Sequence, residues 1–481
     1  MTRQRAVIVG ASHAGAQLAA SLRQNRWDGE IVLIGDESAL PYQRPPLSKA
    51  YLAGKHTLDE LAIRNAAFYD KQRIELLQAR VETIDRSLAQ LTLHTRESLP
   101  YDNLALCTGT RPRRLDIPGA DLDHVLYLRT ATDVELIRAA ATPGRHVVII
   151  GGGYVGLECA ASLRALGLQV TVLETAERVL QRVTAPEVSA FFTRIHRSEG
   201  VTIHTNAQVV ALAGDTHVRE VVLSDGTSIP ADLVLVGIGV EPATELADAA
   251  GLAVDDGIVI DSQARTNDPA IVAAGDCTRY DDTHYGRRIR LESVANATEQ
   301  AKTAAATLCG KANEISALPW FWSDQYDLKL QIAGLNTGYD EIILNGDPST
   351  DRDFTCYYLR DGQLIAADCI NRPRDFMTSK TAIAQRLPTE RPTVAGTGTG
   401  THNCFSSSAT PRPSPTSPPA WIPPPVTSPS PPCSSGARCP TSSTTTPSST
   451  FSTASPPPTP PPSPTPHTWS PATTTTSSPT T

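Results

Sequence analysis

Apolar residues in this chain fall into short unbroken runs, rich in β-branched residues or Leu, at 6–9, 31–34, 104–107, 147–150, 170–173 and 233–236. Continuous runs of this kind mark strands buried on both faces, as parallel strands are. The stretches between them carry apolar residues at helical spacing, so strand and helix alternate in the βαβ manner. Near residue 319 the rhythm changes. QIAGL, EIILNG, FTCYYLR and QLIAADCI are shorter and alternate, which predicts a small antiparallel sheet ending around 388. After Lys380 there is no lysine and after Glu390 no acidic residue, and the remainder is mostly Pro, Ser and Thr. A segment without apolar periodicity cannot offset its ordering entropy, so 389–481 is expected to be disordered. Two origins fit its composition: a mucin-like stalk, or a reading-frame change near residue 392.

Composition narrows the class. A chain of 481 residues has room for three domains, and a formal charge of −8 gives nucleic acid no basic surface. The first strand begins almost at the N-terminus, with no apolar signal segment, and no apolar run approaches the ~20 residues that span a bilayer. Six of nine cysteines (Cys107, Cys159, Cys277, Cys309, Cys356, Cys369) lie scattered before residue 390, without CxxC or metal-ligand spacing. They read as small core residues in a reducing cytoplasm, and no metal site or membrane association is expected.

Two stretches carry chemistry. RAVIVGASHAG (5–15) and HVVIIGGGYVG (146–156) each run from a buried strand through a glycine turn into a helix. Such a turn brings backbone N–H groups and a helix N-terminus up to a pyrophosphate. Two of them in one chain imply two dinucleotides, a flavin and a nicotinamide. In the first, Gly10 and Gly15 take the outer positions and Ser12 the central one, and the second strand ends in Asp36-Glu37, where a carboxylate can accept bonds from ribose hydroxyls. The loop PYQRPPLSK (41–49) is stiffened by prolines and presents Arg44 and Lys49, either as solvated cations or as partners for a reduced ring. Thr108-Gly109 follows one strand and Gly275-Asp276 another. Asp276 suits a ribityl hydroxyl or a helix cap, and RLESVANATEQA (290–301), with Glu292 and Val294, opens a helix facing the ring. The second turn has the full pattern Gly151, Gly153, Gly156, with Tyr154 and Val155 between. Its partner strand ends at Glu174, which would bond the adenosine ribose and repel a 2′-phosphate, so NADH is expected over NADPH despite nearby Arg178 and Arg182. Glu158 stands in the first turn of the helix that follows, either as a carboxylate favoured by the dipole or at the nicotinamide. LVLVGIGVEP (233–242), with Gly239, returns the chain to the first half.

In this order the motifs resemble the two-dinucleotide flavoproteins that include glutathione reductase. The disulfide branch carries CxxxxC where Leu40–Lys49 stands here, and this stretch has no Cys. PYQRPPLSK, YLRT (127–130), GGGYVGLE (151–158), RVLQRVTAPEVSAFF (178–192) and PWFWSDQY (319–326) instead resemble the ferredoxin reductases of bacterial oxygenase systems, from residue 5 to about Arg386. That family continues past the RLP stretch with an acidic, Leu-containing segment. The Pro/Ser/Thr tail replaces it here, which fits a frame change.

The resemblance implies an α/β fold of two Rossmann-like dinucleotide-binding domains and a small α/β interface domain: FAD domain 1–112 and 241–316, NAD domain 113–240, interface domain 317–388. It implies FAD contacts from Ala14, Asp36, Lys49, Val81, Arg129, Asp276 and Val294, and a Lys49–Glu158 pair that shifts when nicotinamide arrives. Hydride would pass from NADH to FAD, and single electrons from FAD to a [2Fe-2S] ferredoxin. The ferredoxin would supply a haem-thiolate monooxygenase in preference to a Rieske dioxygenase. Trp320, as an FAD contact, and Trp322 would stand between flavin and partner, or serve as ordinary core aromatics, and Lys302, Lys329 and Arg372 would face an acidic partner. An apoptosis-inducing-factor-like flavoprotein, an oxidase or a thiol-independent peroxide reductase would share both nucleotide halves. PWFWSDQY and the short interface region favour the ferredoxin reductase.

Overall fold

The structure is a computed structural model and describes residues 4–387. The first sheet is parallel, in the order Ile271–Ala273, Asn103–Leu106, Arg5–Val9, Glu30–Gly35, Ile74–Gln78. Ala6–Val9 are all buried at its centre, as their unbroken apolar run requires. Helix His13–Gln24 packs closely on helix Val294–Leu308, and the two bury small residues, among them Ala16, Ala19, Ala301, Ala304 and Ala305.

A second parallel sheet runs Val201–His204, Gln169–Leu173, His146–Ile150, Leu233–Val236, Val125–Tyr127. The chain passes between the two sheets twice, and both crossings are tied into one antiparallel ribbon by pairing of Thr110–Pro112 with Val240–Pro242. The third sheet is antiparallel, in the order Trp320–Gln325, Leu328–Gly334, Gln363–Ile370, Phe354–Arg360, Glu341–Asn345, backed by helix Pro373–Gln385.

All six apolar runs become parallel strands whose ends fall within a residue or so of those expected, and only Cys107 is left just outside its strand. Ile74–Gln78 and Val201–His204 were not expected. Both are edge strands, and Ile74 alone is buried in the first while the second alternates buried and exposed. Half-covered strands do not produce the continuous run that marks a central one. Among the described residues no helix is long and apolar enough to cross a membrane. The disorder expected for 389–481 lies outside the described residues.

Candidate active site

Each nucleotide turn is forced by close backbone approach. Gly10 has φ +113°, and a Cβ there would lie 2.1 Å from the Cys107 carbonyl oxygen; at Gly151, φ +111°, it would lie 2.3 Å from that of Gly237. No L side chain satisfies both the angle and the contact. Gly15 and Gly156 press their helices onto the same turns, since a Cβ would come within 2.0 and 2.2 Å of the Gly10 and Gly151 carbonyl oxygens. By contrast a Cβ at Gly153 would meet nothing within 4 Å. Ser12 occupies the corresponding place in the first turn and accepts a hydrogen bond at 3.2 Å from Arg44 Nε. Neither Ser12 nor Gly153 caps its helix with a side chain. The first N–H groups therefore stay available to phosphate, and this part of the site fits a dinucleotide.

Between the turns lies a cavity of about 250 Å³. Ser12, Ala14, Arg44, Lys49, Gly109, Arg129, Tyr154, Val155, Glu158, Gly275, Asp276, Glu292 and Val294 all line it, so residues far apart in the chain converge on one place. Their convergence comes from topology. Parallel strands end on the same side of a sheet, and each turn, strand exit and helix start delivers its side chains there.

Lys49 and Glu158 form the charged centre of the wall. Lys49 Nζ lies 2.8 Å from Glu158 Oε2, with Glu158 only 4 % exposed. Ser48 donates to Oε2 and Ser323 to Oε1, both at 2.5 Å. Three donors thus compensate one buried carboxylate, which would otherwise be costly to keep ionised. Elsewhere in the lining Asp276 is pushed up to about 6 by burial, opposed by Arg129. Burial also lowers the Arg129 guanidinium, whose Nη2 lies against Gly109. Arg44 is fixed by Glu37 at 2.6 Å and by the Arg129 carbonyl at 2.7 Å, which leaves Asp36 as the exposed carboxylate at that strand end.

The remaining expected residues stand behind or beside the wall. Thr108 donates to the Ala243 carbonyl at 2.6 Å and so ties the ribbon to the first sheet. Val81 is buried in the first core, away from the cavity. Trp320 is also off the wall. It stacks on Trp322 at 5.6 Å, with Lys380 over its ring, while Phe321 and Trp322 face the cavity. Glu174 accepts from the N–H groups of Gly152 (2.7 Å) and Ala176 (2.9 Å) at the second turn, and Gly239, φ +98°, sits in the return strand's exit near Arg182. Lys302 pairs with Glu299 and Arg372 with Asp353; Lys329 is exposed.

Sequence reasoning missed His13, Ser48 and Ser323. His13 lines the cavity and is held near 4 by burial and by the Arg44 and Arg129 charges. Its position between Ser12 and Ala14 was the available signal. Cys107 also lines the cavity, but burial raises its thiol well above the usual range, which removes thiolate chemistry.

Residues 4–301 match the family model described as Pyridine nucleotide-disulphide oxidoreductase, and residues 320–403 match one described as Reductase C-terminal. Putidaredoxin reductase CamA of Pseudomonas putida is 47 % identical over 391 residues, covering 80 % of this chain and 92 % of that protein. The ferredoxin--NAD(P)(+) reductase fdr of a Sphingomonas species is 45 % identical over 384 residues, covering 79 % and 92 %. Among solved structures, the covalent putidaredoxin reductase–putidaredoxin complex superposes with a TM-score of 0.78 at 46 % identity, covering 81 % of this chain and 94 % of that one. A fold of two nucleotide turns around one charged cavity defines a pyridine-nucleotide flavoprotein. The chain belongs to the pyridine nucleotide-disulphide oxidoreductase family.

Proposed function

We propose that this chain is an NADH-dependent ferredoxin reductase that delivers electrons through FAD to a [2Fe-2S] ferredoxin supplying a monooxygenase. The observation that carries this reading is the ion pair of partly buried Lys49 with buried Glu158 on the wall between the two nucleotide turns, in a loop without the cysteines that would divert electrons to a disulfide. Likeness to two ferredoxin reductases supports the electron acceptor. FAD supplies the step from a two-electron hydride to single electrons.

The chain's own residues bind, orient and set charge. We assign 1–112 and 241–316 to the FAD domain, 113–240 to the NAD domain and 317–388 to the interface domain; the ribbon that closes both crossings supports the inserted arrangement. Ser12, Ala14 and the helix N-terminus behind them hold the FAD pyrophosphate. Asp36 and Asp276 accept from its hydroxyls, and Arg44 and Arg129 balance its charge. Gly151, Gly153 and Gly156 seat the nicotinamide dinucleotide, with Glu174 on its ribose. Lys49 stabilises negative charge on the reduced ring, and Glu158 holds Lys49 and orients the nicotinamide. The free thiols of the described residues suit a cytoplasmic location. Purified protein should reduce cytochrome c rapidly with NADH only when a ferredoxin is added. Equal rates without ferredoxin would remove the reading.

A further inference from the structure

A line of buried polar side chains leads away from Glu158 and plays no part in binding either nucleotide as assigned above. Ser323 Oγ lies 2.5 Å from Glu158 Oε1, Gln325 Nε2 lies 3.1 Å from Ser323 Oγ, and His196 Nε2 lies 2.8 Å from Gln325 Oε1. Tyr326 OH, half-buried, closes the line at 3.0 Å from His196 Nδ1. Ser323, Gln325 and His196 are at most 1 % exposed, so water does not compete for these bonds. Glu158 and His196 belong to helices on the second sheet, whereas Ser323 and Gln325 belong to the antiparallel sheet. The line therefore crosses between them.

Its hydrogens have one consistent arrangement. An ionised carboxylate only accepts, so Ser323 must donate to Glu158. A hydroxyl has one proton, so Ser323 must accept from the Gln325 amide nitrogen. The Gln325 oxygen then faces His196 Nε2, which must carry the imidazole proton. Nδ1 is left bare and accepts from Tyr326. Every bond points toward Glu158. Burial holds His196 neutral, with its pKa lowered to about 4, as this arrangement needs. The charged or titratable neighbours lie at the two ends: Lys49, Tyr154 and Cys159 around Glu158, Glu199 and Arg164 around Tyr326.

We propose that Ser323, Gln325, His196 and Tyr326 form a positioning relay that keeps Glu158 aimed at Lys49, and that the charge on Glu158 fixes the tautomer of His196. The relay rests on the reductase reading for its role in turnover, but its hydrogen arrangement does not. Exchange of the carboxylate for an amide should reverse every bond. In Glu158→Gln the amide oxygen remains with Lys49 and Ser48, and its NH2 donates to Ser323. Ser323 then donates to a turned Gln325, and His196 donates from Nδ1 to Tyr326.

The test uses the FAD-loaded full chain labelled with 15N-histidine, with His196 assigned by its loss in His196→Gln. Long-range proton–nitrogen correlations should show the Nε2–H tautomer in the wild type and the Nδ1–H tautomer in Glu158→Gln. The same tautomer in both overturns the relay. Tyr326→Phe, at the half-buried end, should leave Nε2–H in place and move only the Nδ1 resonance; an unmoved Nδ1 also overturns it. For turnover, Ser323→Ala should slow flavin reduction at saturating NADH about tenfold, the scale of one bond to a charged group. FAD affinity should be unchanged and Ser323→Thr should restore the rate. A rate within about twofold of wild type in Ser323→Ala denies the relay its positioning role. Because the tautomer is read without turnover, failure of NADH to reduce the wild-type flavin would sink the reductase reading and leave the relay to be judged on its own.

Discussion

Single residues set the chemistry, and the two carboxylates of the second nucleotide half do so differently. Glu174 is pinned by two backbone N–H groups, and on the proposed assignment to the adenosine ribose its charge would oppose a 2′-phosphate. The expected outcome is a kcat/KM for NADH more than tenfold above that for NADPH, about 1.4 kcal/mol in transition-state terms. Glu174→Ala should narrow the gap, and equal use of both coenzymes by the wild type would contradict the assignment. Glu158 is instead tied to a cation. Lys49→Met should lower the flavin potential by about 30 mV or more, equivalent to about 1.4 kcal/mol for a two-electron couple, and slow hydride transfer. Glu158→Ala should chiefly slow hydride transfer or weaken NADH binding with FAD still bound. Redox titration and stopped-flow reduction decide between these roles and a purely structural pair. Lys49 and Glu158 were legible because each sits beside a motif with a fixed geometry. Ser323 was not. A hydroxyl that meets a carboxylate 165 positions away leaves no local pattern.

At the scale of elements, legibility followed burial. Strands covered on both faces announced themselves as unbroken apolar runs, whereas Ile74–Gln78 shows little more than Ile74 to the core. The helix Val294–Leu308 was legible from RLESVANATEQA, and its start rests on one side chain. Ser293 Oγ accepts from Asn296 N at 3.2 Å. Ser293→Ala should cost about 1 kcal/mol, the usual worth of such a cap. Urea unfolding of the two proteins measures it, and loosened FAD should accompany the loss because Ser293 lines the cavity. No shift in the urea midpoint would mean that packing against His13–Gln24 alone sets this terminus.

For the molecule as a whole, pH and thiol chemistry offer tests. His196 titrates near 4 in the folded chain against an ordinary 6.5, so the unfolded chain takes up its proton first as pH falls. The stability this histidine contributes is complete above 6.5 and is lost as pH drops from 6.5 toward about 4, at a slope of up to about 1.4 kcal/mol per pH unit. Asp368, raised to about 6 by burial, acts in the opposite sense. The measurement is therefore the difference between wild type and His196→Gln at pH 7 and pH 5, and it should shrink at the lower pH. An unchanged difference would place His196 in a polar setting. Five of the six described cysteines are buried and Cys309 is partly so, all as free thiols. Alkylation of the native protein should accordingly leave ferredoxin reduction intact, and loss of activity on blocking one thiol would favour a disulfide mechanism.

The placement of Phe321, Trp322 and Ser323 on or beside the cavity also bears on how the protein is made. Both glycine turns, the 41–49 loop and Asp276 leave the ribosome before the strand Trp320–Gln325 does. Between Asp276 and Ser323 synthesis takes roughly two to ten seconds. Glu292, Val294 and Ala297, which also line the cavity, emerge within that interval, so the aromatic strand is the last of its walls to be made. Loading of FAD should accordingly be easier before the last sheet forms. A protein stripped of FAD after completion must first loosen the contacts made by that sheet, and its reconstitution should be slow for that reason.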